Sequence, residues 1–199
     1  VLGFVGGIDS PVINDFLYGF ITGAQAVDPE VKIDTRYTNS YVDTAAAKEY
    51  ALSMINDNKV DIIWGVAGNA GNGAVEAALE NHGAWFIGVD SDQELTLSPD
   101  LAEITLTSGL KNIGNSLIWF VDQMDAGKEY WGTEISLGLK EDGVGIVTDK
   151  NYAKYVPEEI QKKVAEAIEN VKSGAIEVPT ALTEEGNKAV TDLRESVRP

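Results

Sequence analysis

Strand-like and helix-like stretches alternate through the first ninety residues, and few folds accept that alternation. The strand-like stretches run from Val1 to Val5, Val31 to Tyr37, Lys59 to Val66 and Ala84 to Val89. Between them, Pro11 to Val27, Ala45 to Asn56 and Ala70 to Asn81 have helical spacing. The β runs lack the strict polar–apolar alternation of a half-exposed sheet, so helices are expected on both faces. The fold class predicted is therefore α/β, with a doubly wound parallel sheet. Ser10-Pro11 supplies a cap and a proline at the first helical position, and Asp43-Thr44 caps the second helix. Val12, Phe16, Phe20 and Ala24 recur every four residues and are predicted to form the stripe that packs on the sheet.

Past Glu94 the alternation lapses. Strands are expected at Glu103 to Thr107, Glu134 to Leu139 and Val144 to Thr148, with helices from Lys111 to Gly127 and from Pro157 to Ser173, the latter stopped by Gly174. The polar stretch from Thr180 to Pro199 is expected to be a surface helix or a frayed tail. Trp64, Trp85 and Trp119 lie in apolar runs and are expected in the core, while Trp131 sits in a polar stretch that leaves its place open.

Composition narrows function mainly by exclusion. With 15 Lys and Arg against 32 Asp and Glu, the net charge of −17 repels phosphate backbones and anionic lipid, so neither nucleic acid nor a membrane surface is an expected partner. The absence of cysteine removes disulfides, thiolate metal sites and thiol nucleophiles. The single histidine, His82, stands beside Gly83 at a helix end and reads as a helix C-terminal cation or a solvated residue, which leaves no Ser-His-Asp set. No apolar run approaches the roughly 20 residues that span a bilayer. A chain opening on a strand, with neither the basic segment nor the cleavage site of a signal peptide, is expected to be truncated. Neither metal nor cofactor is expected.

In doubly wound sheets ligands sit outside the carboxyl ends of the strands, which nominates four loops: Gly6 to Pro11, Thr38 to Asp43, Ala67 to Gly73 and Asp90 to Gln93. Asp90 and Asp92 follow a buried strand, where a carboxylate can accept hydrogen bonds from a sugar diol; aspartates at strand ends also cap turns. The run Gly68-Asn69-Ala70-Gly71-Asn72-Gly73 has neither the Gly-Lys-Ser/Thr of a P-loop nor the spacing of a dinucleotide site. It reads either as a close-approach loop for a neutral ligand or as a tight turn into a helix. Tyr41 offers an aromatic face in a polar loop, though a surface tyrosine without a role is equally ordinary there. Lys111 stands at the start of a helix, where the dipole disfavours a cation, so another group is expected to hold it.

Six segments taken in order resemble a known family: GFVGGIDSPVINDFLYGFITGA, YTNSYVDTAAAKEYA, VDIIWGVAGNAGNGAVEAA, IGVDSDQ, TSGLKNIGNSL and VPEEIQKKVAEAIENVKSGAIEVP. Together they are similar to the C-terminal two-thirds of basic membrane protein family receptors, the substrate-binding lipoproteins of ABC importers. The resemblance implies the C-terminal lobe of a type I periplasmic-binding fold, a purine nucleoside clamped between two lobes, and no chemistry. It implies that Tyr41 stacks on the base, that Asp90 and Lys111 bind the ribose, and that Gly68 and Asn69 line the cleft, with Asn14 and Phe16 on its edge. It further implies an α/β lobe over residues 1–103, a segment over 104–139 that crosses the hinge and packs on a first lobe, a return over 140–179 and a polar tail over 180–199.

The implied partners are a small-molecule nucleoside and the permease and ATPase of the transporter, at an extracytoplasmic location with membrane contact only through a lipid anchor that this chain does not carry. An effector-binding or sensor domain of the same fold, and a nucleoside hydrolase, are the alternatives. Without a first lobe, the apolar residues of 110–127 are expected to drive self-association.

Overall fold

The computed structural model describes every residue except His82, so the reading of that histidine lies outside the described residues. Six strands form one sheet in the order β2-β1-β3-β4-β5-β6: β1 (Leu2–Gly6), β2 (Ile33–Tyr37), β3 (Ile62–Val66), β4 (Trp85–Asp90), β5 (Thr105–Lys111) and β6 (Val144–Ile146). The first five are parallel, as the alternation predicts, and β6 closes the edge antiparallel to β5. Helices α1 (Pro11–Val27), α2 (Thr44–Asn58) and α3 (Gly71–Glu80) make the crossovers. After β4 come the short α4 (Pro99–Ala102), then α5 (Ile113–Asp125), α6 (Lys150–Tyr155), α7 (Glu158–Ser173) and α8 (Glu184–Ser196).

Adjacent strand residues point to opposite faces, and the core divides accordingly. Val5, Ile63 and Phe86 bury under α2 and α3, whereas Phe4, Val66 and Val89 bury under α1 and α8. The α2 and α3 backbones approach so closely that a Cβ on Gly73 would lie 1.9 Å from the Thr44 carbonyl. Asp43 caps α2 by accepting from the Ala46 N–H at 3.0 Å, and α7 stops at Gly174, whose φ of 78° suits glycine.

Several expectations are corrected. The buried stripe of α1 is Ile13, Leu17 and Ile21; Phe16, Phe20 and Ala24 flank it, and Val12 is 57% exposed. Both sets repeat every four residues, and only the orientation of the helix on the sheet selects between them. Glu134 to Leu139 is not a strand, because β6 occupies the edge of β5 and leaves that segment no ladder to join. The 180–199 segment is indeed helical but not merely superficial: Ala181, Val190 and Val197 are buried in the α1 cluster, and the Val197 carbonyl accepts from the Ile33 N–H at 2.8 Å. Trp64, half-buried at the margin of the α1 cluster, packs edge-on against Phe4 and Phe16; Trp85 and Trp119 are half-buried against Tyr155 and Tyr130 in tilted pairs, and Trp131 is exposed.

Candidate functional site at the carboxyl ends of the strands

Parallel strands bring five loops to one end of the sheet, and the loop after β2 is shaped to present an aromatic ring. The Thr38 hydroxyl donates to the Ser40 carbonyl at 2.6 Å, while the Ser40 hydroxyl accepts from the Val42 and Asp43 N–H groups. These local bonds turn the chain before α2. Tyr41 is carried over β1 and β3: its carbonyl accepts from the Ala70 N–H at 3.0 Å, and its ring lies on the backbone of Gly7. A Cβ on Gly7 would come within 2.3 Å of that ring, so Gly7 belongs to the platform. Composition alone did not single it out, although the Gly6-Gly7 pair after an apolar run is its trace in the sequence. Tyr41 remains 41% exposed.

Gly68 takes a φ of 56° and opens a single 3-10 turn, Gly68–Ala70, that leaves Gly68 and Asn69 exposed next to Tyr41. The glycines that follow do something else. Gly71 and Gly73 are buried and permit close packing on β3 and α2, which accounts for half of the glycine-rich run without a ligand.

Asp90 and Lys111 end adjacent strands and meet at 3.8 Å between carboxylate and ammonium, both side chains about half exposed. This pairing supplies the group that holds a cation near the start of α5. Asp90 adopts a φ of 67°, a left-handed conformation that aspartate tolerates better than most residues. The turn beyond it is pinned from several sides: the Gln93 side-chain oxygen accepts from the Val89 N–H at 2.9 Å, and the Ser108 hydroxyl accepts from the Gln93 N–H at 3.1 Å. Asp92 is committed elsewhere, to the Glu94 N–H at 3.2 Å and to Lys150 on α6 at 2.5 Å. Of the two aspartates, Asp90 stands at the strand end with Lys111, at 3.8 Å, as its one ion-pair partner among the described residues.

Asn14 and Phe16 are placed differently. Asn14 is buried, and its carboxamide accepts from the Tyr37 hydroxyl at 2.6 Å and donates to Asp9 at 2.8 Å and Asn187 at 3.1 Å. Phe16 packs against Trp64 with ring centroids 5.8 Å apart. Tyr41, Gly68 and Asn69 are thus brought together as one cluster and Asp90 with Lys111 as another, while Asn14 and Phe16 serve the packing of α1. A cavity of about 730 Å³ lies beside β2 and α8, but its charged walls are internally paired, Arg36 with Asp34 and Arg198 with Glu195. Among the described residues, no group of three or more His, Cys, Asp or Glu side chains is placed to hold a metal ion.

The model of a family described as ABC transporter substrate-binding protein PnrA-like matches residues 1–179. Basic membrane protein A of Borreliella burgdorferi is 34% identical over 181 residues, which cover 90% of this chain and 51% of that protein. The ABC transporter nucleoside-binding protein BmpA of Lactococcus lactis is 31% identical over 191 residues, 90% of this chain and 53% of that protein. Among solved structures, an ABC transporter solute-binding protein from Conexibacter woesei superposes with a TM-score of 0.72 at 21% identity, over 92% of this chain and 58% of that one, a likeness of fold. The chain therefore spans about half the length of the relatives it matches.

Proposed function

The chain belongs to the PnrA-like family of ABC transporter substrate-binding proteins, and from that premise we propose that it forms one wall of a cleft that captures a purine nucleoside for import without altering it. One observation carries this reading: the Asp90–Lys111 pair and the Tyr41 platform stand at the same end of the sheet. The platform lies over β1 and β3 and the ion pair over β4 and β5, so they are about two strand spacings apart, roughly 10 Å. An aromatic face suits a planar base, and a carboxylate beside an ammonium suits a vicinal diol, which donates to one and accepts from the other. Gly68 and Asn69 line the space between.

The opposite wall is a first lobe, and the α5 segment within 104–139 packs on it. That helix has no buried residue, and Ile113, Leu117 and Ile118 are more than 60% exposed. Apolar area of this extent on one helix is the mark of a contact surface. In the chain by itself the same face drives self-association. The receptor works outside the cytoplasm, held by a lipid anchor, and delivers its ligand to a permease and ATPase. No helix among the described residues is long and apolar enough to cross a membrane.

Calorimetry on the receptor with its first lobe tests the assignment. Asp90→Ala removes charge-assisted hydrogen bonds worth about 1.5–3 kcal/mol and should weaken inosine or adenosine binding at least tenfold. A 2′-deoxynucleoside should bind more weakly than its ribonucleoside. Unchanged affinity in Asp90→Ala would remove this residue from the site, and release of free base on incubation would make the protein a hydrolase instead.

A further inference from the structure

A closed ring of hydrogen bonds joins the C-terminal helix to the strand ends. Arg194 on α8 donates through Nη1 to Asp9 Oδ2 at 3.0 Å and to the Tyr37 hydroxyl at 3.2 Å. The Tyr37 hydroxyl donates in turn to Asn14 Oδ1 at 2.6 Å, and Asn14 Nδ2 donates to Asp9 Oδ1 at 2.8 Å, which closes the ring. A second strut from α8 comes from Asn187, whose side-chain oxygen accepts from Asn14 at 3.1 Å. The Arg194 side chain is only 17% exposed and its guanidinium lies 5.4 Å from the Tyr37 ring centroid, so it is fixed by packing as well as by its partners.

Two consecutive glycines transmit this arrangement to the cleft. The Tyr37 ring lies against Gly6, where a Cβ would approach it to 2.7 Å, and the Tyr41 ring lies against Gly7. Asp9 follows two residues later in the same loop. A partly buried, charge-assisted bond to Asp9 therefore holds the loop whose backbone is the seat of Tyr41. Helix α8 begins beyond residue 179, where the family match ends.

We infer that Arg194 is a positioning residue of the ligand cleft: through Asp9 and Tyr37 it fixes the Gly7 loop on which the Tyr41 ring rests, making α8 a determinant of ligand affinity although it touches no ligand. This rests on reading the strand ends as a nucleoside cleft, and the test separates the two. Arg194 makes no hydrogen bond to Tyr41, so the Tyr41 ring resonances of the chain labelled with ¹³C-tyrosine report transmission and not contact. In Arg194→Met those resonances should shift without ligand, and inosine binding to the receptor with its first lobe should weaken about tenfold or more. Arg194→Lys, which keeps the charge but not the fork, should recover part of both. Should Arg194→Met fail to fold, Tyr37→Phe removes only the shared hydroxyl and should shift the Tyr41 signals in the same direction. Tyr41 resonances that stay in place, or inosine affinity within twofold of the parent, overturn the inference. A parent receptor that binds no nucleoside removes the nucleoside reading alone, and the ligand-free Tyr41 signals then decide the role of Arg194.

Discussion

Two helices with well-formed apolar stripes, α1 and α5, meet opposite fates. On α1, Ile13, Leu17 and Ile21 are buried against β1, β2 and α8. On α5, Ile113, Leu117, Ile118 and Val121 stand 54–64% exposed and nothing on that helix is buried. Periodicity makes a helix amphipathic, but burial requires a facing surface, and this chain supplies one for α1 only. The same contrast separates the β1–β4 region, whose α2 and α3 close over a shared core, from the later α7, which also has no buried residue.

The largest effect expected follows from that contrast. Phe86→Ala, deep under α3, should cost about 3–5 kcal/mol in urea unfolding, the scale of an aromatic cavity. Leu117→Ala in the same assay, run at a dilution where the chain is monomeric, should stay within about 0.5 kcal/mol, as for an exposed position. A loss above about 1 kcal/mol at Leu117 would mean that α5 packs on its own lobe. Sedimentation showing a monomer even at micromolar concentration would carry the same message.

A smaller effect belongs to the strand ends. Tyr41→Ala should weaken nucleoside binding by about 1–3 kcal/mol, the range of a base–aromatic stack, with unfolding little changed. Tyr41→Phe should be nearly silent by calorimetry. Equal damage from both would assign the work to the hydroxyl and break the stacking role.

The smallest concerns Glu94, at the junction of the two regions. Its Oε2 is buried without a hydrogen-bond partner among the described residues, and burial raises its carboxyl above the ordinary value near 4.5, against an opposing bond from the Asn151 N–H. The folded chain thus holds this proton more tightly than the unfolded one. That contribution to stability is complete below the ordinary value and is lost as pH rises through the folded one. Glu94→Gln should accordingly melt above the parent at pH 7, with the difference closing below about pH 4. A gain that persists in acid would trace the stabilisation to something other than the charge.

Much of this was legible in the residues. Alternating β runs and amphipathic stretches impose a parallel doubly wound sheet, because each run has two faces to cover, and the carboxyl ends of its strands locate the loops holding Tyr41, Gly68, Asn69, Asp90 and Lys111. The inward stripe of α1 was not legible, because two sets of residues repeat every four positions and only docking on the sheet selects Ile13, Leu17 and Ile21. Asp90 and Asp92 look alike in the chain, yet Lys150, nearly sixty residues on, neutralises one and leaves the other to Lys111. Local spacing thus determined the elements of the first ninety residues, their order and the end of the sheet that carries the candidate site. Which lysine each carboxylate meets, which stripe is buried, and that Arg194 reaches the Asp9 loop were decided by tertiary structure alone, because each depends on a contact between residues far apart in sequence whose pairing no local pattern encodes.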